Sequence, residues 1–167
     1  SKPEAAAVEA ALAKAGWTLT HILVTHHHAD HTDGIPALKA KYKPIVIGPK
    51  AEAGRITGLD RTVGGGDSFR LGDLEVRVLD TPGHTLGHIT YWLPEAKVAF
   101  VGDTLFSLGC GRVVEGDMEM MWGSLAKLAA LPAETAVYCG HEYTLANAKF
   151  SLTIEPENVA LQARAKE

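Results

Sequence analysis

Apolar and polar positions alternate in blocks along the chain, and these blocks predict helices and strands in turn. Val8 and Leu12 recur among alanines and charged residues, which is the spacing of an amphipathic helix that Gly16 would end. We predict helices over residues 1–15, 33–42, 117–130, 142–153 and from 155 onward. Short apolar runs predict strands over residues 17–24, 44–47, 68–71, 74–80, 89–93, 97–101 and 135–139.

The order of these elements predicts an α/β or α+β domain with at least two β layers, because helices separate and flank the strands. Gly72 and Asp73 form a two-residue hairpin signal between two predicted strands. Residues 51–66 give no clear signal, and the glycine-rich stretch 102–116 predicts a long loop. A length of 167 residues suffices for one domain with a sizeable core.

The stretch T-H-H-H-A-D-H at residues 25–31 follows an apolar run directly, so we predict that it lies in a loop leaving a strand end. In such a loop His26 and His28 can turn toward one point, while Asp30 and His31 reach a neighbouring one. Burial of three imidazoles and a carboxylate without a metal would leave unpaired polar groups at a cost of several kcal/mol. The stretch therefore predicts a metal site, and two ions fit it better than one.

Three more ligand-type residues follow later apolar strands. They are His84 in TPGHTLGH (81–88), Asp103 in VGDTLF (101–106) and His141 in CGHEYT (139–144). Folding can bring these loops to one edge of a sheet. We expect one ion to be held by His26, His28 and His84, the other by Asp30, His31 and His141, and both to be bridged by Asp103.

Imidazole and carboxylate ligands without thiolate suit two divalent ions, with zinc expected and iron or manganese as alternatives. Two cations about 3.5–4 Å apart would lower the pKa of a shared water to about 7. Asp103 is a predicted catalytic residue as the bridge, and Asp30 as a ligand that also orients the water.

The remaining histidines and the cysteines have simpler interpretations. We expect His21, His27 and His88 to be structural, with His27 pointing away from the ligands and His88 hydrogen-bonded within its own turn. Cys110 and Cys139 lie far apart and outside any C-x-x-C pattern, so neither is expected to be catalytic. This use of cysteine favours a reducing cytoplasm.

Charge excludes two classes of partner. The formal net charge is −4, and the lysines and arginines are scattered, whereas nucleic acids and anionic membranes require a basic face. No apolar run approaches the roughly 20 residues of a membrane span, and the N-terminus has no signal-peptide apolar region. We expect a cytoplasmic protein that binds neither nucleic acid nor membrane, with a monomer favoured.

The motif H-x-H-x-D-H, followed by a later His, an Asp and a final His, resembles the metallo-β-lactamase superfamily. Three longer stretches resemble its glyoxalase II (hydroxyacylglutathione hydrolase) family: DTPGHTLGHI (80–89), GDTLFSLGCGRVVEG (102–116) and CGHEYT (139–144). The resemblance covers nearly the whole chain. It implies a metallo-β-lactamase-like αββα sandwich, with the metals at one edge of two sheets.

The glyoxalase II resemblance implies a binuclear metallohydrolase. Such an enzyme cleaves the thioester of S-2-hydroxyacylglutathione (S-lactoylglutathione) to glutathione and a 2-hydroxy acid, by attack of a hydroxide that bridges the metals. By position, Arg112 and Tyr143 match glutathione-contacting residues, alongside the backbone around Val113. The family usually has a tyrosine where this chain has Val114, so a ring and a hydroxyl are absent from that contact.

The resemblance also implies the domain organisation. Glyoxalase II has strands before its first helix and a helical C-terminal domain, so this chain is expected to lack some N-terminal strands and that domain. Residues 1–154 are expected to form the metal-binding domain, and residues 155–167 the start of a C-terminal helical segment.

Two other functions are compatible with the first motif. A mononuclear iron persulfide dioxygenase would bind one iron and consume oxygen, whereas the hydrolase would bind two metals. A folded but inactive metal-binding core would bind metal without glutathione. A β-lactamase of the best-known subclass is disfavoured, because it has cysteine at the position of Asp103.

Overall fold

The computed structural model describes residues 5–166, and short strands alternate there with helices, as expected for an α/β protein. Residues 1–4 of the predicted first helix lie outside this range. The helices are α1 (Ala5–Ala15), α2 (Ala29–Thr32), α3 (Ile35–Tyr42), α4 (Met118–Ala129), α5 (Thr144–Ile154) and α6 (Val159–Arg164), with a 3₁₀ helix over Lys50–Arg55. The strands are β1 (His21–Leu23), β2 (Ile45–Pro49), β3 (Arg61–Val63), β4 (Ser68–Leu71), β5 (Leu74–Asp80), β6 (Ile89–Leu93), β7 (Val98–Gly102), β8 (Leu105–Phe106), β9 (Gly109–Cys110) and β10 (Ala136–Cys139).

The strands form two main sheets and one small hairpin. The first sheet has the order β1-β2-β3 and is parallel. The second has the order β10-β7-β6-β5-β4 and is antiparallel except for the parallel pair of β10 and β7. The two short strands β8 and β9 pair with each other.

Three apolar layers show how helices and sheets stack. The largest joins Ile47 of the first sheet to Val76, Val78 and Tyr91 of the second, so it lies between the sheets. A second layer places Ile35 of α3 against the first sheet. A third places Leu128 of α4 against β7. This order of α3, two sheets and α4 is the αββα sandwich, which confirms the predicted fold class.

The side chain of Tyr91 ties the sheets together through a polar contact. Its hydroxyl donates to the carbonyl of Val24 over 2.8 Å and lies 3.2 Å from the carbonyl of Ile47, both in the first sheet region. The tyrosine is fully buried, and burial raises its pKa, so the hydroxyl remains a neutral donor.

Replacement of Tyr91 by Phe is expected to lower the free energy of unfolding by about 1–3 kcal/mol, because it leaves a buried carbonyl without its donor. Chemical denaturation of both proteins measures the difference. Tyr138→Phe is the matched control, since that ring is 56% exposed and should give little change. Equal stability of the Tyr91 variant and the wild type would contradict the contact.

Most predicted elements are confirmed, with small differences at their ends. The strands over 68–71, 74–80 and 89–93 have the predicted bounds. Asp117 is the predicted N-cap of α4, and its carboxylate accepts from the backbone N–H of Met120 over 2.8 Å.

Three predictions from the sequence were wrong or incomplete. The stretch 102–116 is not all loop, since it contains β8 and β9. The stretch 51–66, which gave no signal, contains most of the 3₁₀ helix and all of β3. The strand predicted over 17–24 is regular only at His21–Leu23, where it pairs with β2. Within residues 5–166, no helix has the length and apolar character needed to cross a membrane.

Candidate metal centre

Three histidines from two strand ends form the first group of candidate ligands, called the three-histidine group below. His26 and His28 follow β1, and His84 follows β5. The Nδ1 atom of His28 lies 3.2 Å from Nε2 of His26 and 2.9 Å from Nε2 of His84. One ligand atom from each residue lies within 4.8 Å of the others, so a single cation could contact all three.

Asp30, His31 and His141 form the second group, called the aspartate group below. Nε2 of His141 lies 3.2 Å from Oδ2 of Asp30, and Nε2 of His31 lies 3.7 Å from the same oxygen. His141 follows β10 as predicted, but Asp30 and His31 lie on the short helix α2 rather than in a loop. The extended backbone of His28 allows the helix to begin at Ala29.

Asp103 lies between the two groups. Its Oδ1 is 3.3 Å from Nε2 of His31, and its Oδ2 is 3.2 Å from Nε2 of His141 and 3.5 Å from Nε2 of His84. The carboxylate follows β7 through Gly102, whose φ of 49° is in the left-handed region. A Cβ at Gly102 would lie 2.6 Å from Nε2 of His88, so glycine permits the close approach.

Two buried polar atoms in this centre lie 3.3 Å apart, yet neither makes a hydrogen bond to the other or to any other described residue. They are Nε2 of His31 and Oδ1 of Asp103. Unpartnered buried polar atoms are costly, and a cation between a nitrogen and an oxygen lone pair would satisfy both. The donor set, imidazole and carboxylate without thiolate, therefore fits divalent metal ions.

Burial keeps His26 and His28 in the form that binds metal. It strongly lowers the pKa of His26, and the neighbouring His88 and His31 act in the same direction. Burial and His84 also lower the pKa of His28. A low pKa favours the neutral imidazole, whose lone pair is available to a cation.

The carboxylate of Asp103 remains charged despite its burial. Burial opposes the charge, but the neighbouring His31, His141 and His84 outweigh it and lower the pKa. A buried carboxylate that keeps its charge, surrounded by imidazole nitrogens, is a ligand arrangement that suits cations.

Outer contacts orient the ligand rings, and sequence reasoning did not find them. Nδ1 of His84 donates to the carbonyl of Arg112 over 2.7 Å, which points Nε2 into the three-histidine group. Nδ1 of His26 lies 3.1 Å from the hydroxyl of Thr25. The only hint in the sequence of the contact between His84 and Arg112 is that Arg112 lies in the same glycine-rich stretch as Asp103, the predicted bridging residue.

The histidines expected to be structural occupy different places. His27 points away from the ligands, toward Glu52, with 2.8 Å between Nδ1 and Oε2. His88 was expected to hydrogen-bond within its own turn, and this was incomplete. It does contact the hydroxyl of Thr81, but it also contacts Thr104, and its Nε2 accepts from the backbone N–H of Asp103 over 3.1 Å.

The predicted substrate residues lie near the candidate metal ligands. Tyr143 is 49% exposed, and its ring stacks on that of His141 with centroids 5.4 Å apart. Arg112 and Val114 are exposed, and Val113 is half-buried. Sequence reasoning missed a further aromatic residue, Phe106 of β8, whose ring is 5.4 Å from that of Tyr143 and 6.1 Å from that of His141.

Proteins of known family are similar in sequence to this chain. The sequence model of the metallo-beta-lactamase superfamily matches residues 1–141. The hydroxyacylglutathione hydrolase of Brucella anthropi is 60% identical over 165 residues, which is 99% of this chain and 64% of that protein. The chain thus spans about 64% of the length of the curated relatives it matches.

Two solved structures are similar in fold and sequence. ETHE1 from Myxococcus xanthus is 37% identical, with a TM-score of 0.73 and coverage of 85% of this chain and 64% of that one. TTHA1623, solved in a di-iron-bound form, is 28% identical, with a TM-score of 0.72 and coverage of 84% and 79%. The His and Asp donor groups, the αββα sandwich and the match over residues 1–141 agree: this chain belongs to the metallo-beta-lactamase superfamily.

Proposed function

We propose that this chain is the metal-binding part of a hydroxyacylglutathione hydrolase, a binuclear enzyme that cleaves the thioester of S-2-hydroxyacylglutathione such as S-lactoylglutathione. The observation that carries the proposal is the placement of Asp103 between the three-histidine group and the aspartate group. Two donor groups that share one carboxylate suit two cations. The name of the 60% identical relative supports the glutathione thioester as substrate.

Two divalent ions, with zinc expected and iron or manganese as alternatives, would be held by the seven ligands in the grouping described above. When bound, the ions supply a strongly nucleophilic water at neutral pH and positive charge beside the thioester carbonyl. Asp103, with a side chain only 8% exposed, fixes the spacing between the two groups. The side chain of Asp30 is 33% exposed, so it can accept a hydrogen bond from the attacking water and orient it.

Substrate recognition falls to the residues around the ligands. The exposed guanidinium of Arg112 would pair with a carboxylate of glutathione, in the geometry that arginine and carboxylate favour. Tyr143 offers a half-exposed ring and hydroxyl on the side of His141. The backbone at Val113 and the side chain of Val114 would complete the contact, with Val114 supplying only apolar surface.

Hydrolysis of S-lactoylglutathione by metal-loaded protein, followed at the thioester absorbance, tests the activity. We expect His28→Ala to remove activity, because it deletes one ligand of the three-histidine group. His21→Ala should retain it, since the ring of His21 is half-buried and hydrogen-bonds to its neighbour Thr20. Absence of hydrolysis by the metal-loaded wild type, or equal loss in both variants, would contradict the proposal.

Two alternatives are separated by metal and ligand measurements. A mononuclear iron persulfide dioxygenase would contain one iron and consume oxygen, and the likeness to ETHE1 from Myxococcus xanthus makes this measurement worthwhile. The complete aspartate group favours two ions instead. An inactive metal-binding core would bind metal but give no heat with a glutathione analogue in calorimetry.

We further infer that residues 1–154 form the metal-binding domain and that α6, which packs on α5, belongs to a separate C-terminal helical segment. The net charge of −4 argues against nucleic acid and anionic membranes as partners. A monomer in the reducing cytoplasm suits both the charge and the two free, exposed cysteines.

A further inference from the structure

The carboxyl group of Glu52 joins the two loops that supply the three-histidine group. Its Oε2 accepts from the backbone N–H of His27 over 2.6 Å and contacts Nδ1 of the same histidine at 2.8 Å. Its Oε1 accepts from the hydroxyl of Thr85 and from the backbone N–H of Gly87 over 3.0 Å. Glu52 itself lies on the 3₁₀ helix and is 3% exposed.

The positions of these donors relate directly to the metal ligands. His27 lies between His26 and His28 in the chain, and Thr85 follows His84. One oxygen of Glu52 therefore holds the first ligand loop, and the other holds the second. No candidate ligand atom of the three-histidine group belongs to Glu52, so it acts on the group only through its neighbours.

Close packing leaves the carboxyl group little freedom to move. A Cβ at Gly87 would lie 2.5 Å from Cγ of Glu52 and 2.9 Å from Cβ of Ala51, so only glycine permits this approach. The hydroxyl of Thr85 is fully buried and has the same carboxyl group as its partner. The carboxyl group of Glu52 is thus closely packed against the second ligand loop.

We propose that Glu52 is a positioning residue that sets the geometry of the three-histidine group and thereby its affinity for a metal ion. The inference rests on the proposed function, since it takes that group to be a metal site. Each oxygen of Glu52 faces a backbone N–H, which can only donate. Glutamine has one acceptor oxygen, so whichever way its amide turns, its –NH₂ meets the backbone donor of His27 or Gly87.

The test is a site-resolved metal titration of Glu52→Gln. His141→Ala leaves the three-histidine group as the complete site, and His28→Ala leaves the aspartate group. In the His141→Ala background, Glu52→Gln is expected to weaken Co²⁺ binding by about 10–100-fold, the range for loss of an outer contact to a metal ligand. In the His28→Ala background, Co²⁺ affinity should be unchanged. Visible absorption of bound Co²⁺ reports a changed ligand geometry in the first background only.

Thr85→Val provides a second, milder variant in case Glu52→Gln does not fold. It removes one donor to Oε1 at nearly constant volume and should weaken the three-histidine group alone, by a smaller factor. Glu95→Gln, at an exposed turn position, is the matched control and should alter neither site.

Three outcomes would overturn the inference. They are unchanged affinity in the His141→Ala background, equal weakening in both backgrounds, and weakening of the aspartate group alone. Equal weakening would mean a general loss of packing rather than positioning. Because the titration needs no turnover, its result is independent of S-lactoylglutathione hydrolysis by the wild type, which decides the proposed function separately.

Discussion

Asp103→Asn is expected to lower the proposed thioester hydrolysis by more than about 100-fold, beyond the range seen when only an outer contact to a metal ligand is lost. Among the described residues, Asp103 is the carboxylate whose oxygens lie near His31 of one group and His84 of the other. Asparagine keeps the shape but replaces one oxygen by –NH₂, which cannot bind a cation. The bound metal measured by elemental analysis should fall together with the rate.

Asp73→Asn is the control for this prediction, because Asp73 is exposed in the hairpin turn between β4 and β5. It makes the same chemical change far from the ligands and should leave rate and metal content unaltered. An Asp103→Asn protein that retained two metals per chain and full activity would show that the carboxylate does not bridge the groups.

The clustering of these candidate ligands could be predicted because each of them follows an apolar strand. A short apolar run such as Ile89–Leu93 can be recognised from its own residues, and its predicted bounds are those of β6. The ligand-rich motifs at the strand ends are then brought together when the two sheets pack against each other. The same reasoning predicted that Asp103 and His141 lie near Asp30 in the folded chain, although they come 73 and 111 residues later by their numbers.

Glu52 could not be found in this way. It lies in a stretch without hydrophobic period, and a buried glutamate has the same sequence signature as an exposed one. Its partners His27 and Thr85 are 25 and 33 residues away along the chain. Only the folded structure therefore shows that both carboxyl oxygens of Glu52 accept hydrogen bonds. A 3₁₀ helix held by tertiary contacts gives no periodic signal that sequence reasoning can use.

Phe106 was missed for a related reason. The hairpin of β8 and β9 has two residues in each strand, too few to show alternation, and it lies in a stretch rich in glycine. Leu108, at the turn, has a φ of 59°, and a leucine in the sequence does not predict this left-handed conformation. The contact of Phe106 with Tyr143 therefore depends on tertiary structure, whereas Tyr143 itself was predicted from the family resemblance.

The metal-free protein is expected to lose several kcal/mol of stability as the pH falls from about 6.5 to about 3, because buried histidines, His88 among them, resist protonation in the folded chain. Burial lowers the pKa of His88 to about 3, from a usual value of 6.5. Between these values the unfolded chain binds a proton that the folded chain does not, so stability rises with pH and falls on acidification. The scale is roughly 1.4 kcal/mol for each unit of separation.

The hydrogen bonds of His88 explain the direction. Nε2 must accept, since its partner is the backbone N–H of Asp103, and Nδ1 then carries the proton toward Thr81 and Thr104. A second proton, on Nε2, would make two hydrogen-bond donors face each other, and their repulsion would displace the backbone of Asp103. Denaturant titrations in the presence of a chelator, from pH 4 to pH 8, measure the slope.

His88→Asn removes the titrating ring, so it should be less stable at pH 7 but show a shallower dependence on pH. Part of the slope should remain, because burial also lowers the pKa of His26 and the sign is the same. His21→Asn is the control and should keep the slope of the wild type. If the His88→Asn slope equalled that of the wild type, the acid sensitivity would have to come from the ligand histidines alone.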